Sequence, residues 1–93
     1  MIDNEVTNID SHILISNLNK LHTTKMGIER IKRNLNLNTD DVVLWCNDKI
    51  KDLNSTIYRK GKNWYIICDN YKITVNAYSY TIITAHLLKK DNF

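Results

Sequence analysis

The spacing of apolar residues changes at Thr56, and no other feature of the chain constrains its fold as tightly. Before Thr56, apolar side chains recur at helical spacings, every three to five positions in the first stretch. One stretch carries Ile9, Ile13 or Leu14, Leu18 and Leu21. A second carries Met26, Ile28, Ile31 and Leu35, and a third Val43, Cys46 and Ile50, with Val42 and Trp45 on the adjoining flank. That spacing builds an apolar stripe on a helix. After Thr56 the period is two and the residues are β-branched or aromatic, as a pleated half-buried strand requires.

The boundaries follow from local chemistry. The first helix is predicted over residues 5–21 and is broken by Lys20-Leu21-His22-Thr23-Thr24. Thr23 or Thr24 can accept from the free N–H groups of a second helix, which runs to Leu35. Gly27 inside it costs about 1 kcal/mol relative to alanine and is read as marking a close helix crossing. Lys32 and Arg33 fall in its last turn, where the helix dipole favours cations. Asn34, Asn36 and Asn38 form a polar turn. Thr39 is the expected N-cap of a third helix, with Asp40 and Asp41 in its first turn, ending near Ile50.

Four strands are predicted at Thr56–Lys60, Trp64–Asp69, Tyr71–Asn76 and Tyr80–Leu87, joined by turns at 60–63, 69–70 and 76–79. Gly61 supplies the positive φ that a tight turn needs. Connections this short make an antiparallel meander. Residues 89–93 are expected to fray. Helices followed by strands imply an α+β domain, with three N-terminal helices packed on one face of a four-stranded sheet. Alternation places Ile73, Val75, Ile83, Ala85 and Leu87 toward the helices. Lys72, Thr74, Asn76, Tyr80, Ile82, Thr84 and His86 are then expected on the other face, which an antiparallel sheet can leave to solvent or to a ligand.

A length of 93 residues fits one domain, 1–93, and 43% hydrophobic with 25% charged residues is ordinary for a soluble globular chain. No apolar run reaches the roughly 18 residues that a membrane helix needs. The opening Met-Ile-Asp-Asn-Glu is acidic, so no secretory signal is expected. Cys46 and Cys68 show no Cys-x-x-C spacing, and the expected compartment is the reducing cytoplasm. Asparagine (13), isoleucine (13) and lysine (10) are abundant while arginine (3) and proline (none) are scarce. That bias points to an AT-rich genome, of a low-GC bacterium or its phage, and means that lysine on the surface partly reflects codon usage.

Charge alternates along the chain. Residues 1–19 sum to −3, 20–33 to +4, 34–57 to −2 and 58–72 to +3, within a net charge of +3. If the two basic segments meet in space they form a patch suited to phosphate; otherwise they are two solvated faces.

Most chemistries find no residues here. His12, His22 and His86 lack partners at metal-ligand spacing, and with only Gly27 and Gly61 there is no glycine-rich phosphate loop, so no metal and no cofactor is expected. Both cysteines fall in apolar patterns and read as core. What remains is Thr84-x-His86, two residues sharing one strand face. An imidazole can move a proton at neutral pH, and a hydroxyl can hold a phosphate or an attacking group. Arg59, Lys62 and Lys72 lie on neighbouring strands or their turn and can neutralise phosphate. His22 can approach the sheet edge. Tyr65, Tyr78 and Tyr80 offer flat surfaces for bases, and Asn76 joins them on the polar face. Thr84, His86, Arg59 and His22 therefore form a candidate catalytic group for metal-independent RNA cleavage. Lys62, Lys72, Tyr65, Tyr78, Tyr80 and Asn76 form a candidate RNA-binding set. A strand ending in Thr and His equally serves as plain polar surface, and the tyrosines as half-buried sheet residues.

Four segments carry a family resemblance: Lys20 to Leu35 (KLHTTKMGIERIKRNL), Asp40-Asp-Val-Val43, Gly61-Lys-Asn-Trp-Tyr65, and Ile73 to His86 (ITVNAYSYTIITAH). Together they resemble a family of small bacterial proteins classed as a domain of unknown function, over about residues 18–87. The resemblance implies no activity. A looser one is to the barnase/EndoU/colicin/RelE-like ribonuclease superfamily, on helices followed by a meander whose last strand reads Ile-Ile-Thr-Ala-His. It implies a role for Thr84 alone. The function expected is RNA-directed, a ribonuclease or an RNA-binding module. The alternative is a noncatalytic module that covers a protein partner, as a phage inhibitor would.

Overall fold

The computed structural model describes residues 11–88. Three helices precede four strands: α1 (Ser11–Ser16), α2 (Lys25–Leu35), α3 (Val42–Lys51), β1 (Thr56–Lys60), β2 (Asn63–Cys68), β3 (Tyr71–Asn76) and β4 (Ile82–Leu87). The strands pair in chain order as an antiparallel meander. The expected α+β architecture holds. Ile9, the start of the first predicted helix and the tail 89–93 lie outside the described residues.

The first helix is shorter than its apolar stripe. Asn17 turns its side-chain amide back to the Ile13 carbonyl (2.8 Å) and its backbone N–H to Leu14 (3.0 Å). The chain tightens there into a 3₁₀ turn, Leu18–Lys20, which still delivers Leu18 and Leu21 to the core behind Leu14. Local hydrogen bonding by asparagine competes with the helix while the apolar spacing survives.

Helix α2 begins where expected, with the Thr24 hydroxyl accepting from the Gly27 N–H (2.9 Å). It ends on Asn36 in the left-handed region (φ 56°), with the Leu37 N–H reaching the Lys32 carbonyl (3.0 Å). Met26, predicted to face inward, is 71% exposed, and Gly27 takes its place on the buried side. The glycine marks no helix crossing. A Cβ there would stand 2.1 Å from the Thr23 hydroxyl, which donates to the Ile82 carbonyl of β4 (2.9 Å). Alanine at 27 must therefore displace Thr23 and orphan that carbonyl. Gly27→Ala is expected to destabilise by about 1 kcal/mol, whereas on a Thr23→Ala background it should stabilise by about 1 kcal/mol through helix propensity. Urea titrations of the four chains would reject this if Gly27→Ala had the same sign in both backgrounds.

The cap of α3 sits two residues later than predicted. Asp41 accepts from the Leu44 N–H (3.1 Å), while Thr39 accepts from the Asp41 N–H (3.0 Å). Asp40 pairs with Lys32 instead, and that hydrogen bond lowers the carboxyl and raises the ammonium from their ordinary values. Val42, Cys46 and Ile50 form the buried line of α3, and Val43 is only half-buried.

One buried cluster takes side chains from every helix and strand. The sheet presents it with two rows, Ile57–Ile66–Ile73–Ala85 and Arg59–Trp64–Val75–Ile82, read across β1 to β4. In β4 the predicted phase fails. Val75 faces Ile82 and Thr74 faces Thr84, so Ile83 is an extra residue in a bulge. Ile82 is buried (1% exposed) rather than on the open face, and Ile83 (39%) is not part of the core. Leu87 is half-exposed at the strand end. A bulge resets a two-residue period and leaves no mark in composition.

Cys46 is fully enclosed, and burial pushes its thiol from 9.0 up to about 12. The unfolded chain releases that proton near pH 9 and the folded chain does not. This contribution to stability is therefore intact below pH 9 and is lost as pH rises toward 12, by about 1.4 kcal/mol per unit. Cys46→Ala should be less stable at neutral pH and show a shallower alkaline decline. An unchanged slope in urea midpoints from pH 8 to 11 would reject this account.

Candidate functional site

The face of the sheet away from the helices is built from three rows. Thr56–Ile67–Lys72–His86 and Tyr58–Tyr65–Thr74–Thr84 run across all four strands, and Lys60–Asn63–Asn76 across the first three. The four strands carry Arg59, Lys60, Lys72 and His86 and no aspartate or glutamate. Tyr58 and Tyr65 stack with centroids 5.3 Å apart and planes at 25°. The Lys72 ammonium lies 5.0 Å from the Tyr65 ring centroid. The Tyr65 hydroxyl accepts from the Asn63 amide (3.3 Å). Thr74, between the tyrosines and Thr84, is covered to 8% exposure. Lys72 and His86 stand directly opposite each other on neighbouring strands.

The predicted catalytic group is not assembled. Thr84 and His86 share the open face, as expected. Arg59 is on β1 in the core-side row, with its guanidinium 5.4 Å from the centroids of Trp64 and Tyr78. It is three strand spacings from β4, about 14 Å, and on the opposite face. Its Nε donates to the Gly61 carbonyl (2.9 Å) and its Nη2 to the Tyr78 hydroxyl (3.3 Å). His22 reaches Thr81, the residue just before β4, where its Nε2 is 3.1 Å from the threonine hydroxyl. Five residues of strand separate Thr81 from His86, about 16 Å. Hydrogen-bond reach is about 3 Å, so these four residues make no single acid–base group.

The binding set divides as well. Lys72, Tyr65 and Asn76 lie on the open face. Asn76 spends its carbonyl oxygen on the Tyr78 and Ser79 N–H groups (2.9 Å each). Lys62 is in the β1–β2 turn and Tyr78 in the β3–β4 loop, both exposed. Tyr80 packs against the core with φ at 61°, and the Lys20 ammonium lies 5.6 Å from its ring centroid. The basic segments do not merge, because α2 crosses the core side of β4 while Lys72 stands on the other side. Tyr58, which completes the aromatic pair, was missed by sequence reasoning. The signal was there: Tyr58 and Tyr65 are equidistant from the two-residue loop Gly61-Lys62 and so must face each other.

The comparisons agree with the first resemblance. A family model described as "Protein of unknown function (DUF3781)" matches residues 15–86. The chain belongs to that family. No curated protein and no solved structure matches it. In this DUF3781 member the match runs from the last two residues of α1 to His86 and takes in α2, α3 and all four strands up to the penultimate residue of β4. The ribonuclease likeness receives no support from it. Among the described residues of the DUF3781 chain, no three His, Cys, Asp or Glu side chains gather as a metal site. No described helix is long and apolar enough to cross a membrane.

Proposed function

We propose that the open face of the sheet binds single-stranded RNA and that this chain is an RNA-binding module. The observation that carries the reading is the Tyr58–Tyr65 pair with the Lys72 ammonium beside it, on four strands without a carboxylate. Bases stack on aromatic rings whatever their sequence, and cations on the same surface meet the backbone. The Tyr65 ring is stacked on Tyr58 and has the Lys72 ammonium over it, so an arriving base stacks on Tyr58 directly and on Tyr65 once Lys72 swings toward the backbone phosphate.

The reading is tested by fluorescence anisotropy with a labelled single-stranded RNA of about ten nucleotides. Few cations stand on the face, so binding should fall in the micromolar range, with a log–log salt slope of only about −1.5 for two phosphates. No binding at about 10⁻⁴ M protein would sink the proposal. The half-buried Ile67 in the Lys72 row favours a second reading, a protein partner covering the same face. Its mark is a stoichiometric protein complex insensitive to salt and to added RNA.

A further inference from the structure

The loop between β3 and β4 holds a hydrogen-bonded chain that RNA binding does not use. The carbonyl of Lys20 is 2.9 Å from His22 Nδ1. A carbonyl only accepts, so this contact puts the proton on Nδ1 and leaves Nε2 of the neutral ring as an acceptor. Nε2 is 3.1 Å from the Thr81 hydroxyl, and that hydroxyl is 2.8 Å from the Ser79 hydroxyl. The backbone of His22 is clamped on both sides, its N–H to the Tyr80 carbonyl (3.2 Å) and its carbonyl from the Ile82 N–H (2.7 Å). The base is thus held by its main chain, oriented by a third group, and aimed at a hydroxyl within reach. That is the arrangement that activates an oxygen nucleophile.

Two independent features mark the same place. Tyr80, between the two hydroxyl residues, holds a φ of 61° that a bulky aromatic side chain rarely adopts. The bulge of β4 follows immediately at Ile83. Residues 11–28 and 70–88 contain no aspartate or glutamate, while Lys20 stands over Tyr80. The surroundings therefore suit an anionic electrophile.

We propose that Thr81 is a nucleophile, activated by His22, that accepts a phosphoryl group from an activated phosphoryl ester. In the step, His22 Nε2 takes the hydroxyl proton as the bond from Thr81 Oγ1 to phosphorus forms. The bond from phosphorus to the leaving oxygen breaks, and its electron pair departs with that oxygen. The imidazolium can return the proton to it. The Ser79 hydroxyl donates to the Asn76 side-chain carbonyl (3.2 Å) and accepts from the Thr81 N–H (3.3 Å), which holds the loop around the attacking oxygen. The proposal stands whether or not the open face binds RNA.

A fluorophosphonate probe tests it, with fluoride as the leaving group. The folded chain should gain one phosphonyl group, mapped by peptide mass spectrometry to Thr81. Urea-unfolded chain should gain none. His22→Gln should slow labelling by about 100-fold or more, the usual contribution of a general base. Thr81→Ser should keep the label at residue 81 and Thr81→Val should abolish it. Thermal melts confirm folding of each variant, and if His22→Gln does not fold, the Thr81 pair decides. Absence of label, label on Ser79, or equal rates with and without the imidazole would each overturn the proposal.

Discussion

Trp64→Ala is expected to remove about 3–5 kcal/mol of stability, a large share of the roughly 5–14 kcal/mol that a domain of this length possesses. Trp64 is 1% exposed and sits in the second core row between Arg59 and Val75. Its loss opens a cavity beneath β2 and leaves the Arg59 guanidinium without the ring it packs against. The indole N–H has no hydrogen-bond partner among the described residues, so the ring acts through volume and surface alone. Trp64→Phe should therefore cost far less, about 1–2 kcal/mol, because it removes part of the volume and no hydrogen bond. Urea unfolding followed by circular dichroism distinguishes the two. A loss below about 1 kcal/mol for the alanine variant would show that the second core row does not close as described.

The second large effect concerns binding. The double variant Tyr58→Leu, Tyr65→Leu should weaken single-stranded RNA binding by about 30-fold or more, since stacking contributes about 1–3 kcal/mol per base and two rings are lost. Leucine keeps most of the apolar cover over Thr74, so the melting temperature should move little. Lys72→Glu should weaken binding too, and flatten the salt dependence by about one phosphate. If the tyrosine double variant binds as well as the parent chain while Lys72→Glu does not, the interaction is electrostatic and the stacking platform is refuted.

Much of this architecture can be read from the residues. The change of period at Thr56 marks the boundary between layers, and Thr56–Lys60 and Tyr71–Asn76 are strands with those same ends. The turn at Gly61 sets the β1–β2 register, and from it the Tyr58–Tyr65 pair follows by counting. Local backbone events are less visible. The Asn17 side chain converts a helix end into a 3₁₀ turn, and one extra residue at Ile83 exchanges the faces of Ile82 and Ile83. Periodicity carries no information about either, because each depends on a single hydrogen bond or a single inserted residue. The acid–base group failed for a related reason. His22, Arg59 and His86 are each near the sheet, but strand order sends Arg59 to the far edge and strand length separates the two histidines. The contact of His22 with Thr81 spans 59 positions and has no local signature.

The loop Gly61-Lys62 therefore governs more than a change of direction. Gly61 takes a φ of 61°, and β1 and β2 are counted outward from it. One amino acid added at this point would slide the hairpin by a single step. The indole would then swing into water and a phenol ring beneath the helices, so the interior and the ligand-facing surface cannot evolve separately at this bend.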